Sequence, residues 1–283
     1  MPPVVTKQKP GAKPTTLIKP SDTGESAWDL VSDTLRMLVY GASGSGKTTL
    51  ASTFPGPILW LICSGGNKPG ELKSIDTPEN RKKITPRIIK STDQLKGFLA
   101  DSDKYATKVL DHASGLADLI LKEILRVDEL PAQLGWGTAS QQQYGQLALQ
   151  CKEQFRALLN LSGNIVIIAQ ERVFGGKDDG IDSDIIKPTI GAALTPSVTG
   201  WLNPACDYVV QTFKKPRMKT TTNKISGKDV TTTTRGKGVD YCLRTEPHDI
   251  YQTKFRVPRG RVLPDIIVDP DYEKIQAVIR GDS

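Results

Sequence analysis

The chain has 283 residues, 37% of them hydrophobic, which is enough for one large α/β domain with appendages or for two small domains. It has no run of about 18 apolar residues, and prolines stand where a signal peptide needs an apolar segment, so we expect a soluble, cytoplasmic protein with no membrane partner. Four widely separated cysteines exclude a zinc-ribbon or disulfide-rich class, while Lys and Arg exceed Asp and Glu by 38 to 31.

The first 27 residues are rich in proline and lysine and contain few side chains that can form a core. This composition predicts a disordered, mildly basic arm, followed by a folded domain over residues 28–283. One interpretation is that the arm tethers nucleic acid or a neighbouring subunit. The alternative is a solvated tail with no binding role.

A glycine-rich loop follows the apolar run 35–40, which we expect to be a buried parallel strand. The loop fits the P-loop pattern G-x-x-x-x-G-K-[ST] at every fixed position. In this pattern backbone N–H groups and the start of the next helix face phosphate oxygens, Lys47 reaches the β and γ phosphates, and Thr48 holds Mg²⁺. The predicted nucleotide-binding residues are Gly41, Ala42, Ser43, Gly44, Ser45, Gly46, Lys47, Thr48 and Thr49.

Three further strands are expected before residue 112. Residues 58–63 read as a buried strand, residues 87–90 as a weak one, and a helix capped by Ser91 should run to about residue 101. The apolar run 105–111 ends in Asp111, which is the form of a Walker B element, whose carboxylate holds the Mg²⁺ shell. The role of His112 stays open.

The middle of the chain is expected to be helical and then irregular. A helix covers residues 116–124, a polar loop spans 135–145, a long helix ends near residue 161, and a strand covers 164–169. Gln170, just beyond that strand, is a candidate sensor of the γ-phosphate. The glycine- and proline-rich stretch 172–199 reads as an irregular, ligand-responsive loop.

Two strands at residues 207–213 and 239–245 flank a strongly basic segment. Residues 214–237 contain eight Lys or Arg side chains, one acid and seven threonines around a Ser-Gly turn, which predicts a protruding β-hairpin. It is either a surface for a phosphate backbone or a hairpin kept basic for solubility.

The C-terminal part begins with a strand over residues 250–256, which places Lys254 and Arg256 on one face by the two-residue period. A final helix is expected from about Asp269-Pro270 to Gly281.

Taken together, these motifs resemble the RecA-like AAA-domain nucleotide-binding proteins of bacteriophages, which include single-strand annealing recombinases. The resemblance covers about residues 35–280. It implies a RecA-like P-loop NTPase core, with a mostly parallel central sheet flanked by helices and with antiparallel strands and the basic hairpin towards the C-terminus.

The resemblance also implies ATP and Mg²⁺ as cofactors, single-stranded DNA as a partner, assembly into a ring or filament, and a single-strand DNA-binding protein as a further partner class. If the chain is phage-encoded, the compartment is the host cytoplasm. In such assemblies a K-x-R pair reaches the neighbouring subunit's γ-phosphate, which makes Lys254 and Arg256 candidate trans fingers. The candidate DNA contacts are Trp136, Tyr144, Arg172, Lys177, Lys214, Lys215, Arg217, Lys219, Lys224 and Lys228.

One departure from the pattern concerns the hydrolytic base. A carboxylate near the end of the second strand usually polarises the attacking water, whereas this chain has Ser64-Gly65-Gly66 there. Glu71, a few residues later, is the candidate replacement.

We therefore expect an ATPase that binds single-stranded DNA and promotes annealing or strand exchange in phage recombination or replication. Two other classes stay open: a non-catalytic DNA-binding or assembly protein switched by ATP, and a P-loop small-molecule kinase.

Overall fold

In the described part of the chain, eight strands form a single path of sheet and two short strands are attached to it, which makes ten strands in all. The computed structural model describes residues 34–63, 70–128, 130, 139–175, 188–225 and 228–282, without the side chains of residues 221, 223–225, 228–230 and 232. The strands are β1 Arg36–Gly41, β2 Ile58–Ile62, β3 Ile84–Ile88, β4 Thr107–Asp111, β5 Asn164–Phe174, β6 Thr189–Ala192, β7 Tyr208–Ile225, β8 Lys228–Arg244, β9 Lys254–Phe255 and β10 Ile266–Val268.

The main sheet has the strand order β10-β8-β7-β1-β5-β4-β2-β3, with β6 paired to β5 and β9 paired to β7. All pairs from β7 across to β3 are parallel, whereas β8, β9 and β10 are antiparallel additions. The predicted α/β class, with a mostly parallel sheet and antiparallel strands near the C-terminus, is confirmed. The P-loop strand β1 lies in the middle, with β5 between it and the Asp111 strand β4.

Helices cover both faces of this sheet. They are α1 Lys47–Ser52, α2 Pro78–Lys83, α3 Thr92–Ala100, α4 Ala113–Leu125, α5 Gln141–Leu159, α6 Pro196–Ala205 and α7 Tyr272–Arg280, together with a 3₁₀ helix at Gly70–Ile75. Ser91, Ser140 and Asp271 cap α3, α5 and α7 through side-chain oxygens, which satisfies backbone N–H groups left free at the first turn. Among the described residues, none of the helices combines the length and the apolar composition of a membrane-spanning segment.

The two faces of β1 belong to two separate apolar clusters. Leu38 and Tyr40 point into a cluster with α3, α4, α5 and α6, whereas Met37 and Val39 point into a cluster with α1, α7 and the 3₁₀ helix. This division follows from the two-residue period of a strand. A strand with apolar side chains on both faces must be covered on both, so β1 is fixed at the centre of the fold.

The basic segment is a long two-stranded hairpin, as the sequence predicts. β7 and β8 pair from Gln211 with Arg244 to Ile225 with Lys228, with a register shift near Pro216. Cross-strand threonine pairs, such as Thr222 with Thr231 at 3.2 Å between hydroxyl oxygens, line part of it.

Several predicted boundaries are wrong. β3 covers 84–88 rather than 87–90, and only Lys254–Phe255 of the stretch 250–256 forms a strand. The stretch 172–199 is not irregular throughout, because β5 continues to Phe174 and both β6 and the first turn of α6 lie within it. β5 continues beyond its apolar residues because β6 pairs with its polar end. This pairing runs from Glu171 with Ala192 to Phe174 with Thr189. The predicted arm lies outside the described residues.

Phe155 provides a test of the packing between α5 and the sheet. Its side chain is fully buried, so we expect Phe155→Ala to lower the free energy of unfolding by about 3–5 kcal/mol through lost burial and a residual cavity. Leu149 on the same helix is 69% exposed, and Leu149→Ala should change it by less than about 0.5 kcal/mol. Urea unfolding of the two variants measures both effects, and equal losses would contradict the assigned packing.

Candidate nucleotide site

The P-loop connects the carboxyl end of β1 to the start of α1. Gly44 and Gly46 have positive φ values of 71° and 97°, which only glycine adopts at little cost. The Ser45 N–H donates to the Ala42 carbonyl at 3.2 Å, closing the turn. The loop pattern read from the sequence therefore corresponds to a real concave turn at the end of a buried strand.

Lys47 lies inside this turn and is only 6% exposed. Its ammonium donates to the carbonyl oxygens of Gly41 at 2.7 Å and Ala42 at 2.8 Å. Burial lowers the pKa of Lys47, while the carboxylates of Asp111 and Glu171 act in the opposite direction. The ammonium is thus held at the mouth of the loop, where it can neutralise phosphate charge.

Asp111 ends β4 beside the P-loop, as predicted. The hydroxyl of Thr48 is 3.5 Å from its Oδ2, at the long limit of a hydrogen bond. A hydroxyl and a carboxylate are the hard oxygen donors that Mg²⁺ takes from a protein when phosphates complete its shell. These two residues therefore fit the predicted metal position.

Glu71 reaches the same place from the 3₁₀ helix. Its Oε2 is buried without a hydrogen-bond partner among the described residues. Burial, and then the nearby charge of Glu71, raise the pKa of Asp111 to about 6. Two carboxyl groups thus share a poorly solvated position, which is the environment that a hydrolytic base requires and which a cation would relieve.

His112 has a structural role that the sequence left open. Its Nδ1 accepts the Gly115 N–H at 2.9 Å and so caps α4. Burial lowers the pKa of His112, which favours the neutral ring that this acceptor role requires. A Cβ on Gly115 would lie 2.0 Å from the Cys63 carbonyl oxygen, so α4 begins in direct contact with the end of β2.

A cleft of about 890 Å³ joins these groups. Its lining includes eight consecutive residues from Ser43 to Leu50, together with Glu71, Asp111, His112 and Gln170. Gln170 is within β5 rather than beyond it, opposite Gly41 in the ladder, and its carbonyl accepts the Ala193 N–H at 2.7 Å.

The cleft also contains residues that sequence reasoning missed: Ser74, Tyr241, Asp269 and Pro270. No local signal marks them, because Tyr241 reaches the P-loop only through the pairing of β8 with β7, and Asp269 only through its N–H bond to the Tyr241 carbonyl at 2.7 Å.

Lys254 and Arg256 are not brought to this cleft within the chain. Both bond to the segment at the end of α6: Lys254 donates to the carbonyls of Asn203 and Pro204, and Arg256 pairs with Asp207 at 2.8 Å. They share one face, as predicted, while their trans role stays a prediction.

The candidate DNA contacts are scattered. Tyr144 is in the first turn of α5 and 40% exposed, and the Arg172 guanidinium is 5.5 Å from the Phe174 ring centroid. Arg217 pairs with Asp240 at 2.6 Å, while Lys215 and Lys219 also lie on β7. Trp136, Lys177 and the Ser64-Gly65-Gly66 segment lie outside the described residues, as do the side chains of Lys224 and Lys228.

Comparison with known proteins gives one family match. A family model described as an AAA domain matches residues 33–257. No curated protein matches the chain. Among solved structures, the chain is similar to the flagellar accessory protein FlaH from Methanocaldococcus jannaschii, with 10% identity, TM-score 0.38 and coverage of 82% of this chain and 83% of that chain. It is also similar to a KaiC-like protein from Pyrococcus horikoshii OT3, with 10% identity, TM-score 0.39 and coverage of 83% and 89%.

The raised pKa of Asp111 predicts how stability depends on pH. Because its pKa is higher in the folded protein than in the unfolded chain, the folded state binds the proton more tightly and the free energy of unfolding falls as pH rises from about 4 to 6. Asp111→Asn should remove this loss, which is on the order of 2–3 kcal/mol at pH 7.

Urea unfolding at pH 4 and pH 7, without nucleotide, measures this difference. Asp128→Asn, at an exposed position outside the cleft, is the control and should follow the wild type. Parallel pH dependence for the wild type and Asp111→Asn would contradict the assignment.

Proposed function

Because the chain belongs to the AAA-domain family, we propose that it is an ATP-dependent, RecA-like protein that binds single-stranded DNA and promotes annealing or strand exchange in phage recombination or replication. The observation that carries the proposal is the single cleft in which the P-loop, Asp111, Glu71 and Gln170 meet.

Different residues of the cleft bind the phosphates and the metal ion in the proposed ATP hydrolysis. The backbone N–H groups of the loop and the ammonium of Lys47 bind the phosphates. Thr48 and Asp111 would hold Mg²⁺, which would supply charge neutralisation for the phosphates.

Glu71 is the proposed general base. Its buried carboxylate oxygen, which has no hydrogen-bond partner among the described residues, is free to accept a proton from the attacking water. With this assignment, Glu71 takes the role of the carboxylate that is usually found near the end of the second strand.

Gln170 is the proposed γ-phosphate sensor. The residue lines the cleft, while its backbone carbonyl accepts a hydrogen bond from the Ala193 N–H directly after β6. A shift of the Gln170 amide on phosphate release would thus act on β6 and on the segment that follows it.

DNA binding is supported by the charge of the hairpin. Its Lys and Arg residues lie along two paired strands, which gives the hairpin the positive charge that attracts a phosphate backbone. Tyr144, exposed on α5, is an aromatic group on which a base can stack.

The experiment that tests the function is phosphate release from ATP with and without single-stranded DNA. Stimulation by DNA is the expected result. Turnover that requires a small acceptor would indicate a kinase instead, and ATP-dependent assembly without turnover would indicate a nucleotide-switched binding protein.

Lys47→Ala should lose ATP binding or turnover, and wild-type activity in that variant would refute the site.

Glu71→Gln separates binding from hydrolysis. Because the amide keeps the shape but cannot take the proton, we expect turnover to fall by about 10²–10⁴-fold while ATP affinity stays within a few-fold. Glu79→Gln, on α2 outside the cleft, is the matched control and should hydrolyse ATP normally. Near-normal turnover in Glu71→Gln, measured as single-turnover phosphate release, would remove Glu71 as the base.

Arg256→Ala tests the shared site. If Arg256 reaches a neighbour's γ-phosphate, ATPase activity should fall by at least tenfold with little loss of nucleotide affinity. Arg259→Ala, at an exposed position of the next turn, should behave as the wild type. Mixing Arg256→Ala with Lys47→Ala subunits should restore part of the activity, because each supplies the half that the other lacks. Failure of this rescue would argue against a trans role.

A further inference from the structure

We propose that Lys214 is a further phosphate-binding residue, which acts on the nucleotide bound by its own chain. The inference rests on the proposed nucleotide site and assigns to it a residue that the sequence pattern groups with the DNA-binding cations. We call the segment where β7 and β8 leave the main sheet, residues 211–214 and 241–244, the hairpin root.

The hairpin root is attached directly to the P-loop. β7 runs parallel to β1, with Thr212 opposite Gly41. The Thr212 hydroxyl lies 2.6 Å from the Ser45 hydroxyl inside the loop. A Cβ on Gly41 would lie only 2.3 Å from the Thr212 carbonyl oxygen, so the two backbones are in close contact.

Lys214 follows Thr212 by two residues and therefore projects from the same side of β7. A Cβ built on Gly44 would lie 3.9 Å from the Lys214 ammonium nitrogen, with nothing else within 4 Å. Gly44 is exposed at the middle of the loop whose N–H groups cradle phosphates. Lys214 thus carries its charge to the edge of the phosphate position.

The ammonium of Lys214 is not engaged elsewhere in the described part of the chain, where it has no hydrogen-bond or ion-pair partner. Arg217, three residues further along the same strand, is by contrast neutralised by Asp240. An unpaired lysine beside a ring of N–H donors adds a strong point charge for phosphate without having to break an existing contact.

The second strand of the hairpin root supports this geometry. Tyr241 is the cross-strand partner of Lys214, and its ring lies against Gly46, where a Cβ would be 3.1 Å from Cδ1. Both strands of the root therefore face the loop. If Lys214 binds phosphate, nucleotide at the root and nucleic acid further along the hairpin would contact the same pair of strands.

The test compares nucleotide affinities of the full chain by calorimetry in the presence of Mg²⁺. Lys214→Ala should bind ATP and ADP on the order of tenfold more weakly than the wild type, because a charge-assisted contact is lost. Lys214→Arg, which retains the charge, should recover most of the affinity. Lys237→Ala removes another exposed lysine of the same hairpin and should bind ATP as the wild type does.

The outcomes separate this inference from the proposed function. Equal ATP affinity in Lys214→Ala and Lys237→Ala would overturn the inference and leave the function intact, as would a loss confined to single-stranded DNA binding. Absence of ATP binding by the wild type would overturn both. Thermal unfolding of Lys214→Ala without nucleotide should match the wild type, since the residue is exposed.

Discussion

The pairing of β1 with parallel neighbours on both sides is the constraint on which the rest of the structure depends. β5 brings Gln170 opposite Gly41 on one side, and β7 brings Thr212 opposite the same residue on the other. Because parallel strands end at one edge of a sheet, these residues and Asp111 meet at the P-loop. A register shift by one residue would exchange the side chains that β1 packs into the two apolar clusters, so the shape of the packed core fixes the register and with it the site.

Electrostatics give this edge its chemical character. Lys47 is buried opposite Asp111, and Glu71 adds a second carboxylate in the same poorly solvated space. The cluster is unfavourable by itself, as the raised pKa of Asp111 indicates. A site of this kind is stabilised when a cation and phosphates enter together, which links binding to the stability of the fold.

Sequence reasoning worked best where chemistry is local. The fixed positions of the P-loop, the carboxylate at the end of β4, the capping serine of α3 and the basic hairpin all depend on adjacent residues or on short periods. It failed where pairing with a residue far away in the chain sets the ends of a strand, as in the extension of β5 by β6 and in the short strand at Lys254. It left His112 open because the helix cap requires the position of Gly115 in three dimensions.

The sequence by itself determined that a loop of the P-loop pattern follows a buried strand of a mostly parallel α/β sheet, since the loop requires glycines at fixed spacing and the strand requires apolar residues on both faces. Only the tertiary structure decided that Glu71 shares the position of Asp111, and that Tyr241 and Lys214 face the loop. Those contacts join residues far apart in the chain, and strand order and register, which no local pattern encodes, bring them together.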